Sequence, residues 1–376
     1  MHIEEDGSVT PCCVMPSNRF PMGSNIKDYW SHERLKNIQD KLLNDQKPEE
    51  CQWCWKNEEN GLKSHRISHR RDVSLHSMHL RLNNVCNFKC RMCGPAFSSS
   101  WAQENTKHGF FEYRMDIPDK FEIEKDALSV NAYYLFPLLK KYILAGQLKH
   151  LSISGGEPLI TDANYKLLTF LIDNKLTNVT LSYSTNLSNL SYKGIDLLSL
   201  WSKFDKVSLE VSLDGWGEAV EYSRTGLNLD KFKENFVRAF KYIDAINCVV
   251  NVYSVWTLPY IEKFRKKGLN IVYSPCYLPA HCNSQILLRE DKDEIKKLYS
   301  GYPHLKNVYE NFIDKDLDEG YTVEEIDKIP LHYSLSDLRK KMVSFNLLLD
   351  KYRDTNFFKT FPQYEKYKEQ KWQTSM

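Results

Sequence analysis

The sequence predicts an α/β fold, an incomplete barrel of about six parallel strands that follows a small cysteine-rich metal-binding module. Short strand-like runs alternate with helix-length segments from residue 79 onward, which is the pattern of βαβ units. One face of nearly every run is polar, whereas a closed eight-stranded barrel fills its interior with branched apolar side chains. Seven of the ten cysteines lie in the first quarter of the chain, so a metal site is expected there.

Six runs have the alternating pattern of a strand. They are residues 79–85, 150–154, 178–184, 206–212, 247–253 and 270–274. In the second run Leu151 and Ile153 are apolar and the serines beside them are polar. The apolar face suits an outer layer of helices, and the polar face would line an open lumen able to hold a polar cofactor and substrate. An antiparallel sheet with one solvated face has the same alternation, but the helix-length spacers favour parallel strands.

The C-terminal part of the chain carries one clear helical stripe. Its apolar residues recur at steps of three and four, at Leu335, Leu338, Met342, Phe345, Leu349 and Tyr352. One amphipathic helix docked on the barrel explains them. The predicted organisation is a metal-binding module at 1–62, a basic linker at 63–75, the barrel at 76–290, and a mainly helical extension at 291–376 packed on the barrel.

Composition excludes two classes of partner. Lys and Arg total 51 and Asp and Glu total 49, so the formal net charge of +2 argues against general nucleic-acid binding. No run approaches about 18 uninterrupted apolar residues, so no membrane span is expected. The N-terminal sequence is acidic where a signal peptide would be basic, which favours a cytoplasmic protein whose cysteines do not form a disulfide framework.

The strongest single signal is the C-x3-C-x2-C motif of Cys86, Cys90 and Cys93, directly after the first strand. Three thiolates within eight residues can wrap one iron cluster, but they are one short of the four that close a structural site. An open coordination position is therefore available for chemistry. The second strand runs directly into a Gly-Gly-Glu-Pro segment, residues 155–158.

Together these two motifs resemble those of the radical S-adenosylmethionine (SAM) enzymes, over roughly residues 76–290. The resemblance implies a partial (β/α)6 TIM-like barrel and a [4Fe-4S] cluster on Cys86, Cys90 and Cys93, with one iron left to chelate SAM. It also implies reductive cleavage of SAM to methionine and a 5′-deoxyadenosyl radical that abstracts hydrogen from a substrate. A flavodoxin or ferredoxin would be the electron donor.

Further positions carry over by the same resemblance. The implied SAM-binding residues are Gly155, Gly156, Glu157, Asn186, Ser212, Asp214, Arg224 and Asn251. Glu157 would accept from the methionyl ammonium, Ser212 and Asp214 would contact the ribose, and Arg224 would meet the SAM carboxylate. Two simpler readings stay open, because Asp214 is followed by Gly215 in a turn signal and Arg224 could be a surface ion-pair partner.

The N-terminal cysteines Cys12, Cys13, Cys51 and Cys54 form a second set. It resembles the auxiliary-cluster extension called SPASM, or its shortened twitch form, which implies a second iron–sulfur cluster. The spacing also allows zinc or no metal. The full pattern has one more cysteine, at a position that would precede Met1, so either the chain is clipped there or Cys13 takes that place.

Three functions are open at this point. The first is a radical SAM enzyme that modifies a peptide or protein, and the second is one that modifies a small molecule such as a sugar, nucleoside or cofactor precursor. The third is a non-catalytic zinc-binding interaction protein, against which the three-cysteine loop beside Gly-Gly-Glu-Pro speaks. Cys248 is expected to be a buried apolar residue, and Cys276 and Cys282 have no assigned role.

Overall fold

The computed structural model describes residues 1–3, 8–12, 15, 29–59, 64, 66–68, 75–109, 127–317 and 334–368. The strands are β1 (His2–Ile3), β2 (Val9–Thr10), β3 (Ser77–Arg81), β4 (His150–Ser154), β5 (Thr180–Thr185), β6 (Ser191–Tyr192), β7 (Ile195–Asp196), β8 (Val207–Ser212), β9 (Ile243–Val250) and β10 (Asn270–Pro275).

The α-helices are α1 (Glu33–Leu43), α2 (Gln52–Glu59), α3 (Ser99–His108), α4 (Ala127–Leu144), α5 (Asp162–Asp173), α6 (Leu197–Trp201), α7 (Glu218–Ser223), α8 (Leu229–Ala239), α9 (Leu258–Arg265), α10 (Arg289–Leu298), α11 (Pro303–Phe312), α12 (Leu335–Arg353) and α13 (Phe357–Thr360). Short 3-10 turns include Glu49–Cys51, Pro158–Ile160 and Pro362–Tyr367.

The chain divides into two compact units. The first unit comprises Met1–Val85, Glu124–Ser184 and Asn189–Ser208, and the second comprises Cys86–Ile123, Thr185–Ser188 and Leu209–Met376. The division into 1–62, 63–75, 76–290 and 291–376 follows the cysteine sets and stays a prediction.

In the first unit the strands lie in the order β2-β1-β3-β4-β5. All neighbours are parallel except β1 and β2. Leu151 and Ile153 are buried while Ser152 and Ser154 are half-buried, so β4 has the alternation that the sequence predicts. The short pair β6 and β7 is antiparallel and separate from this sheet.

In the second unit β8, β9 and β10 are parallel neighbours. Alternate residues of β8 and β9 are buried, among them Leu209, Val211, Ile246 and Cys248. The Tyr273 hydroxyl of β10 donates to Glu262 of α9 at 2.7 Å. Each unit is thus built of mostly parallel strands with helices, which confirms the α/β class. Closure into a partial barrel stays a prediction.

The first predicted strand, 79–85, begins and ends too late. The observed strand is β3, and the chain turns after it because the Asn83 side chain accepts a hydrogen bond from the Val85 N–H at 3.0 Å. Asparagine side chains that bond the backbone two residues on replace strand pairing with a turn.

The same error affects the fifth predicted strand, 247–253. The observed strand β9 ends at Val250, because the Asn251 side chain accepts from the N–H groups of Tyr253 and Ser254 at 2.9 and 3.1 Å. In both places a local asparagine turn overrides the continued alternation of the sequence.

Two strands in the N-terminal region are not predicted at all. His2 of β1 pairs in parallel with His79 of β3, and the two imidazole rings lie 4.6 Å apart. A two-residue strand is too short to give a periodic signal. The first residues of the chain therefore belong to the sheet of the first unit as well as preceding the N-terminal cysteines.

The predicted C-terminal helix is confirmed as α12. It begins after Ser334, whose side chain accepts from the Asp337 N–H, and Leu338, Met342, Phe345 and Leu349 are buried. Tyr352, the last residue of the predicted stripe, is instead 46% exposed.

Replacing Leu349 with Ala should lower the free energy of unfolding by about 2 to 5 kcal/mol, because this side chain is fully buried. Leu347 lies on the same helix and is 42% exposed, so Leu347→Ala is the matched control and should change stability by about 0.5 kcal/mol or less. Urea unfolding of both variants measures this. Equal losses in the two would contradict the docked face of α12.

Candidate active site

The Gly-Gly-Glu-Pro turn follows β4 and presses on the backbone that leads into the cysteine loop. Gly155 and Gly156 have φ of +89° and +50°. A Cβ on Gly155 would lie 2.7 Å from the Asn83 carbonyl oxygen, and one on Gly156 would overlap the Val85 carbonyl oxygen. Both positions therefore require glycine for conformation and for space. The close approach that the structure contains is to residues 83–85, directly before Cys86.

Glu157 continues the same contact. Its backbone N–H donates to the Val85 carbonyl at 2.7 Å, and its buried side chain accepts from the Leu159 N–H at 3.1 Å. The carboxylate therefore caps the short 3-10 turn after it. Its role toward the SAM ammonium stays a prediction.

The cysteine loop lies in the second unit, where two backbone hydrogen bonds fix its centre. Lys89 N–H donates to the Thr225 carbonyl at 2.8 Å, and Arg91 N–H donates to the Ser223 carbonyl at 2.7 Å. Gly226, with φ of +109°, follows directly, and a Cβ there would lie 2.9 Å from the Asn87 carbonyl oxygen. The segment 223–226 thus holds one edge of the loop.

Helix α3 holds the loop by side chains from its first turn. Ser98 donates to the Phe88 carbonyl at 2.7 Å and Ser100 to the Cys86 carbonyl at 2.6 Å. The Trp101 indole N–H donates to the Cys90 carbonyl at 2.8 Å. The two serine hydroxyls thus satisfy the Phe88 and Cys86 carbonyls, and the indole adds a second donor to the Cys90 carbonyl, which also accepts from the Cys93 N–H at 2.9 Å.

Arg91, between the second and third cysteines, is fully buried. Its guanidinium lies 3.7 Å from the centre of the Tyr222 ring and donates to Asn346 at 3.0 Å, Asp350 at 2.9 Å and Thr355 at 2.8 Å. A buried cation with this many partners is fixed in one orientation. Arg91 therefore fastens the loop to α12 and the residues that follow it.

Arg353, at the end of α12, makes a second attachment. Its side chain is fully buried, pairs with Glu104 and donates to the Lys89 carbonyl at 2.8 Å. The guanidinium also lies 4.7 Å from the centre of the Trp101 ring. Lys89 completes the cluster by donating to Glu104 at 2.6 Å.

The three cysteines of the loop, Cys86, Cys90 and Cys93, are each half-buried. Burial raises the pKa of the Cys90 thiol to about 12, and the guanidinium groups of Arg224 and Arg353 act in the opposite direction. A thiol with this pKa stays protonated at neutral pH unless a metal displaces the proton.

These residues fit an iron–sulfur cluster by their donor chemistry. Three soft thiolates suit iron, and the Phe88 N–H already donates to the Cys86 sulfur at 3.4 Å, a contact that also stabilises a bound sulfur. Within the described ranges no three Cys, His, Asp or Glu side chains converge as ligands of one ion. A cubane does not need such convergence, because each cysteine binds a different iron.

Asp214 and Arg224, both predicted to bind SAM, are paired with each other. The guanidinium donates to the two carboxylate oxygens at 2.7 and 2.9 Å, and both residues are buried. Asp214 also accepts from the Val249 N–H at 2.9 Å, and its carbonyl accepts from the Cys248 thiol at 3.3 Å. Cys248 is buried as expected, and its contact explains why a thiol stands there.

The remaining predicted residues of the second unit differ in exposure and partners. Asn186 donates to the Asn87 side chain in the cysteine loop at 3.2 Å. Ser212 ends β8 on its half-buried face. Asn251 is fully buried, and its amide donates to the Val249 carbonyl at 2.9 Å besides closing the turn described above. Asn186 is thus near the loop, while Asn251 bonds to its own segment.

The N-terminal cysteines lie in the first unit. Cys51 and Cys54 are one helical turn apart, at the start of α2. Burial raises the pKa of the Cys51 thiol to about 12, and the neighbouring Cys12 and Cys54 raise it further, so these three thiols interact. Cys13 lies outside the described residues.

Sequence reasoning missed the side chains that fasten the loop. Arg91 and Arg353 connect the loop to α12 and to Glu104, and neither is a defining residue of a recognised motif. One signal was available, because Asn346, Asp350 and Arg353 recur at steps of four and three on the predicted helix. Such a polar stripe beside an apolar one indicates a helix that also binds a charged group.

No protein-family model matches this chain, and no curated protein does so either. Several solved structures resemble it. Streptococcus suis SuiB bound to S-adenosylmethionine is 13% identical, with a TM-score of 0.39 over 70% of this chain and 52% of SuiB. The structure of SuiB bound to its precursor peptide SuiA is 12% identical, with a TM-score of 0.38 over 72% of this chain and 62% of SuiB. TYW1 with a lysine-pyruvate adduct bound is 17% identical, with a TM-score of 0.31 over 58% of this chain and 70% of TYW1.

The chain thus spans less than two thirds of the length of SuiB. At these identities and scores we base the function on this chain's own residues. Within the described part of the chain, no helix combines the length and the apolar composition that crossing a bilayer requires.

Replacing Gly156 with Ala should destabilise the protein by more than the cost of a left-handed residue, because the new Cβ overlaps the Val85 carbonyl. Gly146→Ala is the matched control. Gly146 also has positive φ, +68°, but has open space around its Cα, so its change should cost only about 1 kcal/mol. Thermal unfolding compares them. A Gly156→Ala protein as stable as Gly146→Ala would contradict the close packing of this turn.

Proposed function

We propose that this chain is a radical SAM enzyme. The observation that carries the proposal is the C-x3-C-x2-C loop together with the Gly-Gly-Glu-Pro turn, whose glycines pack against residues 83–85 directly before Cys86. The Gly-Gly-Glu-Pro motif therefore packs against the backbone that precedes Cys86 in the chain. A loop that only held zinc would have no need of this second motif.

In this proposal Cys86, Cys90 and Cys93 hold a [4Fe-4S] cluster, and the residues carried over from the resemblance bind SAM. When bound, the cluster would supply the one electron for reductive cleavage of SAM to methionine and a 5′-deoxyadenosyl radical, the species that would take a hydrogen atom from the substrate. The protein contributes by orienting its ligands and keeping water and stray hydrogen donors away.

The contacts of the cysteine loop support a role for the protein in holding the ligands of the cluster in position. Arg91 bonds to Asn346 and Arg353 bonds to the Lys89 carbonyl, and these contacts fix the loop. Its sulfur atoms would therefore need little reorganisation to bind iron. Arg224 and Arg353 favour the thiolate form of Cys90, while burial opposes it. Asp214 keeps the Arg224 guanidinium in place for an anionic group.

We also propose an auxiliary iron–sulfur cluster on Cys12, Cys51 and Cys54, with Cys13 as the fourth ligand. The supporting observation is that Cys12 and Cys54 lie near enough to Cys51 to add to the rise in its pKa. The proposed substrate is a peptide or protein, since the relatives that carry such modules commonly modify peptides, and a small molecule is the alternative. The proposed setting is the cytoplasm, with a flavodoxin or ferredoxin as electron donor.

Replacing Cys90 with Ala should abolish formation of 5′-deoxyadenosine and remove the loop cluster, because two thiolates cannot hold a cubane at this site. The measurements are iron content, the electron paramagnetic resonance of the reduced cluster, and chromatography of SAM products. Cys276→Ala is the control and should keep the iron. Cleavage of SAM by the Cys90→Ala protein would refute the assignment.

Replacing both Cys51 and Cys54 with Ala should lower the iron content by one cluster and leave some uncoupled SAM cleavage, because the loop of Cys86, Cys90 and Cys93 is unchanged. Iron and acid-labile sulfide analysis after anaerobic reconstitution measures the loss. Unchanged iron would rule out the auxiliary cluster, and zinc bound in its place would support a structural metal there.

A further inference from the structure

The half-buried face of β8 in the second unit carries one acidic residue, Glu210. The register pairs Glu210 with Ala245 and Ser212 with Asn247, so these four residues share one face. That face is opposite the one on which Leu209 and Val211 are buried. On this face of β8, Glu210 lies between Ser208 and Ser212, which are uncharged.

Glu210 has no partner for its charge. Among the residues that the structure describes, its carboxylate makes neither an ion pair nor a hydrogen bond. Burial raises the pKa of this carboxyl, and no neighbouring charge offsets that rise. A half-buried carboxylate without a donor is costly, and proteins keep such a group where a ligand supplies the donor.

Asn247 presents a second unsatisfied acceptor on the same face. Its side-chain oxygen is buried and has no hydrogen-bond partner in the described part of the chain. Buried polar atoms are nearly always hydrogen-bonded, so an unbonded amide oxygen on the same face as an unpaired carboxylate suggests that a ligand supplies the donor. Two acceptors that lack a hydrogen-bond partner in the described part of the chain suit a group that can donate to both.

The backbone places these acceptors within reach of one group. Asn247 lies two residues beyond Ala245, the partner of Glu210, on a strand about 4.8 Å away. Ala245, the register partner of Glu210, has the smallest side chain that carries a Cβ. The register shifts between Leu209 and Glu210, and such irregularities are common next to active sites, where they redirect a side chain.

We infer that Glu210 and Asn247 recognise a cationic nitrogen of the substrate, a primary ammonium or a guanidinium. Such groups donate several hydrogen bonds and accept none, which matches a carboxylate beside an amide oxygen. Glu210 precedes Ser212 by two residues, about 7 Å along the strand, and shares its face. The inference rests on the proposed function, in which Ser212 contacts SAM, and it names a substrate feature that the function leaves open.

The cation can belong to a peptide side chain or to a free small molecule. The probes are therefore the Nα-acetyl methylamides of lysine and arginine, and the pentapeptide Gly-Gly-Lys-Gly-Gly. Their neutral counterparts contain norleucine, which has the length of lysine without its charge. Ligand-observed NMR titration gives the dissociation constants, with the full chain reconstituted with iron and sulfide and saturated with SAM.

The wild-type protein should bind at least one cationic probe about tenfold or more tightly than its norleucine counterpart, since one charge-assisted hydrogen bond is worth that much. Glu210→Gln, which keeps the shape and removes the charge, should abolish the preference. Asn247→Leu should weaken it. Glu218→Gln is the matched control, because Glu218 is exposed on α7, and it should keep the preference.

Thermal stability distinguishes a recognition role from a structural one. Glu210→Gln should raise the Tm at pH 7, because it removes a half-buried charge that no donor compensates, whereas Glu218→Gln should leave the Tm unchanged. A fall in Tm on Glu210→Gln would reveal an internal partner and overturn the inference. Equal binding of lysine and norleucine probes by the wild-type protein would overturn it as well.

The peptide and the single residues separate the two sources of the cation. If only the pentapeptide binds more tightly than its norleucine counterpart, the substrate is a peptide. If the acetyl methylamides of lysine or arginine also bind more tightly than norleucine, a small-molecule substrate is possible as well. Both outcomes support the inference. If the protein cleaves SAM but shows no cation preference, this inference fails and the proposed function stands. If the preference depends on Glu210 but the protein never binds iron, the proposed function fails instead.

Discussion

The candidate site depends on one buried cation, the Arg91 guanidinium. Leaving a buried charge without its partner costs about 3 to 5 kcal/mol, so Asp350 and Asn346 must be present whenever the cysteine loop is folded. Because Arg91 stands between Cys90 and Cys93, its position also fixes theirs. The surrounding contacts of α3, α12 and the segment 223–226 follow from this, since each one satisfies a backbone or charged group that the loop leaves open.

The fold class and the strand positions could be predicted because alternation and spacing are properties of the sequence itself. Residues 150–154 are a strand as predicted, and the C-terminal stripe is a helix. The errors have local causes. Asn83 and Asn251 end strands whose alternation continues in the sequence, and β1 is too short to have a period.

The candidate site was predictable only where its residues stand in short motifs. Cys86, Cys90, Cys93 and the Gly-Gly-Glu-Pro turn could be recognised by spacing. Arg91 and Arg353 could not, because their partners lie far away in the sequence and a buried arginine looks like any surface arginine. The two glycines also have a structural requirement that the motif alone does not reveal, since a Cβ on either one would collide with the backbone at 83–85.

The distance in sequence between Arg91 and its partners has a consequence for biosynthesis. Asn346 and Thr355 follow Arg91 by 255 and 264 residues. During translation the cysteine loop is therefore made more than 250 residues before the groups that fix it. Until α12 and the residues after it have been synthesised, the loop therefore lacks the side chains that hold Arg91 in place.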